Sequence, residues 1–382
     1  MHRILTSYLV LLFILVSQSL PVNNVMAEGL VLGQSTALTG PAKALGLGMK
    51  SGLDACFARH NEECKEPSCK ITLISKDDGY EPERAIVSTK ELIEQDKVLL
   101  LIGEVGTPTS KAVLPLVNEA KIPFVAPFTG AELLRSPFNP YIINIRASYY
   151  QEMERLAALI VDKKQLKKVA CFYQNDSFGQ AGFEGIKIAL AKRNLELIGV
   201  GTFERNTLAV KKGLLDIRAA APEAVVMVGT YEPCAEFIKL AKKAGMKEAL
   251  FCNISFVGTD ALCQALGTEG EGCVISQVVP FPHDESIPLV KEYIEALKKN
   301  QPDATPGFVS LEGYMAGKFF CSVAKQLKDG FSREDFIKAV ETIKTFDLGG
   351  VTLTFGEQDH QGMDQVYLTV IKDGKVAPLK ED

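Results

Sequence analysis

Short apolar runs alternate with longer amphipathic stretches along nearly the whole chain, and this alternation leaves few folds open. Extended segments are predicted over 30–34, 70–75, 98–102, 122–126 and 141–145, with helices over 43–59, 82–95 and after 107. In 82–95 the apolar residues Ala85, Val87, Leu92 and Ile93 fall near helical spacing. The pattern restarts after Ser148, with strands over 168–173, 195–202, 224–228, 250–253 and 273–279 separated by helices. Continuous apolar strands between helices indicate parallel sheets covered on both faces. Two blocks of similar size give an α/β protein of two similar lobes. The helices predicted over 287–299, 310–327 and 333–343 lack strands of their own and most simply return to the first sheet. A terminal hairpin, 350–355 with 366–372, extends the second. The chain then crosses between lobes three times, near Arg146, Val278 and Leu348, and such lobes enclose a cleft that can close. The lobes divide as 28–146 plus 279–347 and 147–278 plus 348–382.

One strand–helix–strand unit, VLLLIGEVGTPTSKAVLPLVNEAKIPFVAPFTGA over 98–131, carries most of the functional information. Its first apolar run stops at a glycine-rich turn, where Thr107 is expected to cap a helix whose first turn holds Pro108. Its second stops at Pro127-Phe128-Thr129-Gly130. Hydroxyl-bearing turns thus follow the carboxyl ends of two strands, where open parallel sheets bind ligands. Hydroxyls and free N–H groups at a helix start suit a small anion or carboxylate.

The amino terminus reads as a cleavable export signal over 1–27: Arg3 is its only charge, an apolar stretch runs over 8–16, and Val25-Met26-Ala27 has the small-x-small pattern. The apolar stretch is too short to span a bilayer, so the expectation is an exported protein that is not membrane-embedded. A net charge of −5 gives no support for nucleic acid as a partner. Nine cysteines in an exported chain permit disulfides. Cys64 with Cys69, and Cys263 with Cys273, flank short polar loops and are the candidate pairs, with Cys252 as a competitor in the second. No C-x-x-C motif occurs and the four histidines are scattered, so no metal and no cofactor are expected.

Enzyme signatures are missing. There is no G-x-S-x-G elbow, no G-x-x-x-x-G-K-[ST] loop, and no histidine beside a candidate nucleophile. The glycines over 46–52 have the wrong spacing for a dinucleotide fingerprint and lie inside a predicted helix, where they suit close packing. Asp77 and Asp78 read as a turn at a strand end.

Several segments together resemble the type I periplasmic ligand-binding proteins of the branched-chain amino acid class, the receptors of ATP-driven importers. They are Ala37–Pro41, Asp77–Pro82, Ile102 through Pro115, Pro127–Leu134, Asp176–Gln180, Phe256–Gly258 and Gln277–Pro280. The resemblance spans the chain after the signal. It implies two Rossmann-like lobes joined by three hinge crossings, residence in the periplasm, permease subunits as partners, and no catalysis. It implies a small ligand held by its carboxylate at Thr107 and at Phe128, Thr129 and Gly130. It also implies aromatic contacts from the second lobe at Phe178 and Tyr231, with Tyr149 or Tyr150 near the hinge. Receptors of this class carry an acid for the ligand ammonium on the loop after the strand over 250–253. Ser255 stands there instead, and Leu45 replaces a ligand-contacting tyrosine. Glu104 and Glu232 are the remaining acids for that role. A ligand-sensing module docked to a separate receptor is the alternative function on the same fold.

Overall fold

The computed structural model describes residues 29–380; the export signal expected over 1–27 lies outside them. The first lobe builds β1 (Leu30–Thr36), α1 (Lys43–Glu63), β2 (Ile71–Asp77), α2 (Pro82–Glu94), β3 (Leu101–Ile102), α3 (Thr107–Ala120), β4 (Phe124–Val125) and β5 (Ile142–Ile143). The second builds α4 (Tyr149–Ala157), β6 (Val169–Gln174), α5 (Ser177–Ala191), β7 (Gly199–Phe203), α6 (Lys211–Ala219), β8 (Ala224–Val228), α7 (Tyr231–Lys243), β9 (Leu250–Asn253), α8 (Thr259–Leu266) and β10 (Val274–Gln277). There follow α9 (Pro288–Asn300), α10 (Phe308–Ala324), α11 (Arg333–Ile343), β11 (Thr345–Asp347), β12 (Thr352–Thr354), β13 (Tyr367–Lys372) and β14 (Lys375–Pro378).

The first sheet has the order β2-β1-β3-β4-β5, and the second β14-β13-β10-β9-β8-β6-β7. Strands β6 to β10 repeat the order of β1 to β5, so the two sheets share one topology. In each, the strand order reverses beside the first strand, which is where doubly wound sheets open a ligand crevice. Every residue of β6 and of β8 is buried, as expected of strands covered on both faces. Helices α9 to α11 pack with Leu32, Ile102, Val125 and Ile143 of the first sheet.

Local chemistry sets the helix starts near the cleft. Ser148 accepts from the Gln151 N–H at 3.2 Å while the Gln151 side chain accepts from the Ser148 N–H at 2.7 Å, a reciprocal box that starts α4 directly after the hinge. Asp176 accepts from the N–H groups of Phe178 and Gly179 to start α5.

Three expectations are corrected. The run 350–355 does not pair with 366–372. Its core, β12, pairs antiparallel with β11, while β13 pairs with β10 and β14. The reason is turn chemistry: Asp373 (φ 50°) and Gly374 (φ 70°) form a left-handed two-residue turn that folds β13 directly onto β14. Cys64 and Cys69 are joined as a disulfide, but Cys263 and Cys273 are free. The Cys263 thiol donates to the Gly374 carbonyl at 3.4 Å, whereas the Cys273 sulfur accepts from the Asn253 amide at 3.3 Å, so their side chains have separate partners. Finally, Gly106 rather than Thr107 caps α3. Its φ of 108° is open to glycine, and Thr107 becomes the first helical residue. Among the described residues no helix is long and apolar enough to cross a membrane.

Candidate functional site

Because Gly106 takes the cap position, the Thr107 hydroxyl is free of the helix. It lies 2.7 Å from the Thr129 hydroxyl, which in turn donates to the Tyr149 hydroxyl at 3.2 Å. Both turns are braced together: the Phe128 N–H donates to the Glu104 carbonyl at 2.7 Å and the Gly106 N–H to the Phe128 carbonyl at 3.2 Å. Gly130 is needed for close approach, since a Cβ there would lie 2.5 Å from the Tyr149 ring. Thr107 and Thr129 are fully buried, so their hydroxyls form an enclosed polar cradle at the ends of β3 and β4.

Aromatic rings from both lobes close over it. The Phe256 ring centre is 4.4 Å from Phe178, 5.3 Å from Phe128 and 6.0 Å from Tyr80, and Tyr149 is 5.6 Å from Phe178. These side chains belong to one buried cluster with the core of the second lobe, so the cleft is shut. Across its rim, Arg205 pairs with Glu81 at 2.8 Å and with Asp176 at 3.3 Å, and the Asn206 amide donates to Glu81 at 2.7 Å. Tyr231 lies at the mouth, where its hydroxyl accepts from the Ala44 N–H at 3.4 Å. Leu45 packs there as well.

Tyr150 does not belong to this set. Its neighbour Tyr149 faces the cradle, and successive helical residues diverge by about 100°, so Tyr150 turns away toward α5 and a surface groove with Glu154 and Lys192. Ser255 is committed elsewhere: its N–H and its hydroxyl donate to Glu152 at 2.8 and 3.0 Å. Glu152 also accepts from Ser276 at 2.6 Å. Beside them Arg146, 1% exposed, pairs with Glu152 at 3.1 Å and Glu312 at 3.2 Å and donates to Ser255. Its guanidinium sits 5.1 Å from the Phe128 ring centre and 5.9 Å from that of Tyr149. A buried cation therefore occupies the side of the cleft where an ammonium-pairing acid was sought. Neither remaining acid fills that role: Glu232 is exposed, and Glu104 is buried beside Asp78 and Thr89, facing α2.

Sequence reasoning missed Tyr80, Arg146, Glu152, Phe256 and Glu312. The one available signal was Arg146, a lone cation in the apolar run before α4.

Two neighbouring carboxylates at the end of β2 have opposite electrostatics. Asp77 is partly buried, which alone would raise its pKa, but hydrogen bonds from Thr39, Leu38, Arg84 and Gly79 hold it down at about 2. Asp78 is fully buried, and burial pushes it up to about 6 although Tyr80 N–H and the Ser35 hydroxyl donate to it. Burial, with the charge of Asp78, also raises Glu104. A raised acid contributes stability that is complete below its unfolded pKa and is lost as pH rises through the folded one. The Asp77 contribution has the opposite sign and is lost only as pH falls below about 4. Urea unfolding should therefore give a lower midpoint at pH 8 than at pH 5. Asp78→Asn should flatten that fall by on the order of 1 kcal/mol, since only about one pH unit of the interval lies below the raised pKa. A wild-type midpoint that rises over this interval would overturn the assignment.

Two sheets of one topology, three crossings and a shut cleft with a hydroxyl cradle define a two-lobed ligand-binding protein. The chain belongs to the periplasmic binding protein family, whose profile matches residues 30–375. The crystal structure of a possible leucine/isoleucine/valine-binding protein from Rhodopirellula baltica is similar, with 38% identity, a TM-score of 0.89, and 94% of this chain and 98% of that one covered. A Leu/Ile/Val-binding protein homolog 7 from Brucella abortus is 21% identical over 367 residues, covering 92% of this chain and 91% of its own length. The leucine-binding protein LivK of Thermotoga maritima shares the fold, with a TM-score of 0.83 at 18% identity over 92% of this chain and 98% of that one.

Proposed function

We propose that this protein is exported to the periplasm, captures a small carboxylate-bearing molecule between its lobes, and delivers it to the permease of an ATP-driven importer. The observation that carries the reading is the hydroxyl pair of Thr107 and Thr129, 2.7 Å apart and enclosed by rings from both lobes. Hydroxyl donors suit a carboxylate, and rings suit an apolar or aromatic body. Phe128, Gly130, Phe178 and Tyr231 complete the contact set. Binding is by lobe closure, a shift toward the shut conformation that requires no bond chemistry.

The ligand lacks an ammonium group. Arg146 lies where the counter-charge would have to sit, and Glu152 and Glu312 are already engaged with it. An ammonium beside a buried guanidinium would meet repulsion and find no free acid.

Matched pairs of compounds test both parts by thermal shift: 4-methylpentanoate against leucine, and 3-phenylpropanoate against phenylalanine. The deaminated acids should raise Tm, by the equivalent of about 2.7 kcal/mol at a hundredfold excess over Kd, and the amino acids should not. Binding of leucine with no response to 4-methylpentanoate would reject the second part. Silence toward a broad panel of carboxylates would reject the first.

A further inference from the structure

Away from the cleft, α1 and α10 approach each other through glycines. A Cβ on Gly52 would lie 1.9 Å from the Ser310 carbonyl oxygen, and one on Gly313 would lie 2.2 Å from that of Met49. A Cβ on Gly317 would lie 3.0 Å from the sulfur of Cys56. Gly317 and Cys321 are one turn apart on the same face of α10, so Cys56, which packs on Gly317, also stands beside Cys321 at the seam of α1 and α10. His60, one turn beyond Cys56 on α1, completes the cluster. Its Nε2 lies 2.9 Å from the Cys69 carbonyl, which can only accept, so Nε2 carries a hydrogen. The same ring and Cys321 line one cavity. A cavity of about 180 Å³ reaches this cluster, lined by Cys56, His60 and Cys321 together with Arg59, Lys318 and Lys325. Cys56 lies 11 residues after Leu45 on α1, about 16 Å along the helix axis from the cleft.

We propose that Cys56 and Cys321 are a redox-active dithiol that closes to a second, reversible disulfide, with Cys321 as the attacking sulfur, Cys56 as the resolving sulfur and His60 as the proton acceptor. The two thiols are not equivalent. The neighbouring Cys56 thiol brings Cys321 down to about 6 against its burial, with His60 assisting, whereas burial pushes Cys56 well up. Cys171 and Cys252 are raised by burial, and Cys273 is pushed up to about 12. A low-pKa thiolate beside a protonated partner is the arrangement that reacts with disulfides. The oxidant is a disulfide, small-molecule or protein-borne. The Cys321 thiolate attacks one of its sulfurs, forming a mixed disulfide and releasing one thiolate. Cys56 then gives its proton to the released thiolate and attacks the Cys321 sulfur, and the second thiolate leaves and takes the proton that His60 had accepted from Cys321. Two thiols are oxidised and one external disulfide is reduced to two thiols. The product ties α1, which carries Leu45, to α10, which carries Glu312, and so cross-links two elements of the closing site.

Glutathione disulfide at pH 7, followed by denaturing thiol counting and peptide mapping, tests the site in the full chain. The free-thiol count should fall by two from seven, with Cys56 and Cys321 in one linked peptide. Cys56→Ser should stop at a glutathione adduct on Cys321, and Cys321→Ser should leave Cys56 unmodified. His60→Gln should slow the reaction of Cys321 at pH 7 by about tenfold and much less at pH 9, since thiolate fraction governs the rate. A count that stays at seven, a linked peptide joining any other pair, or Cys321 reacting no faster than Cys171 would overturn the proposal.

Discussion

Arg146→Met is expected to cost about 3–5 kcal/mol of folding stability. The side chain is 1% exposed, so its charge was taken wholly out of water, and it is held by Glu152 of the second lobe and Glu312 of the first. Methionine fills much of the volume but leaves two buried carboxyls facing one another without a cation. The loss comes mainly from that uncompensated charge and only secondarily from lost attraction. The triple variant Arg146→Met/Glu152→Gln/Glu312→Gln should therefore recover a large part of it. The penalty of the single variant should also shrink at pH 5. Burial and the Glu152 charge already raise Glu312 to about 7, and without the guanidinium its carboxyl takes up a proton more readily still. Urea midpoints of the three proteins, with unchanged m, are the measurement. A single-variant loss under 1 kcal/mol would show that water reaches the cluster and that it does not clamp the hinge.

The second large effect is on binding. On the proposed reading, Thr107→Val/Thr129→Val should weaken the best deaminated acid about a hundredfold or more, since each hydrogen bond to a charged group contributes about 1.5–3 kcal/mol. Stability should fall by about 1–3 kcal/mol. The two hydroxyls bond each other, and replacing both partners by apolar groups of the same shape leaves the Tyr149 hydroxyl and the buried Ala131 N–H each short of one contact. Calorimetric titration of the double variant separates these effects. An unchanged Kd would place the carboxylate elsewhere in the cleft.

The α/β class was legible because period and run length are local. A run such as 98–102 or 224–228 is apolar at every position, which only a strand covered on both faces requires. The cradle was partly legible for the same reason: Thr107 and Thr129 sit at strand ends, and strand ends are visible as the places where apolar runs stop. The misplaced terminal hairpin was an error of reading, since Asp373-Gly374 between two β-prone runs is a strong turn signal. Tyr149 and Tyr150 could not be separated without the start of α4, because a shift of one residue moves a ring from the cleft to the outer groove.

The chain alone determined its alternating elements, its two blocks and the hydroxyl turns, since each depends on neighbours a few residues apart. Only the tertiary structure decided what surrounds those turns. Arg146, Glu152, Ser255 and Glu312 meet across as many as 166 residues of chain, and Phe128, Phe178 and Phe256 come from both lobes. Such contacts follow from how two sheets face each other. The burial that holds Arg146 as the counter-charge of two carboxylates belongs to that arrangement and leaves no mark on the local sequence.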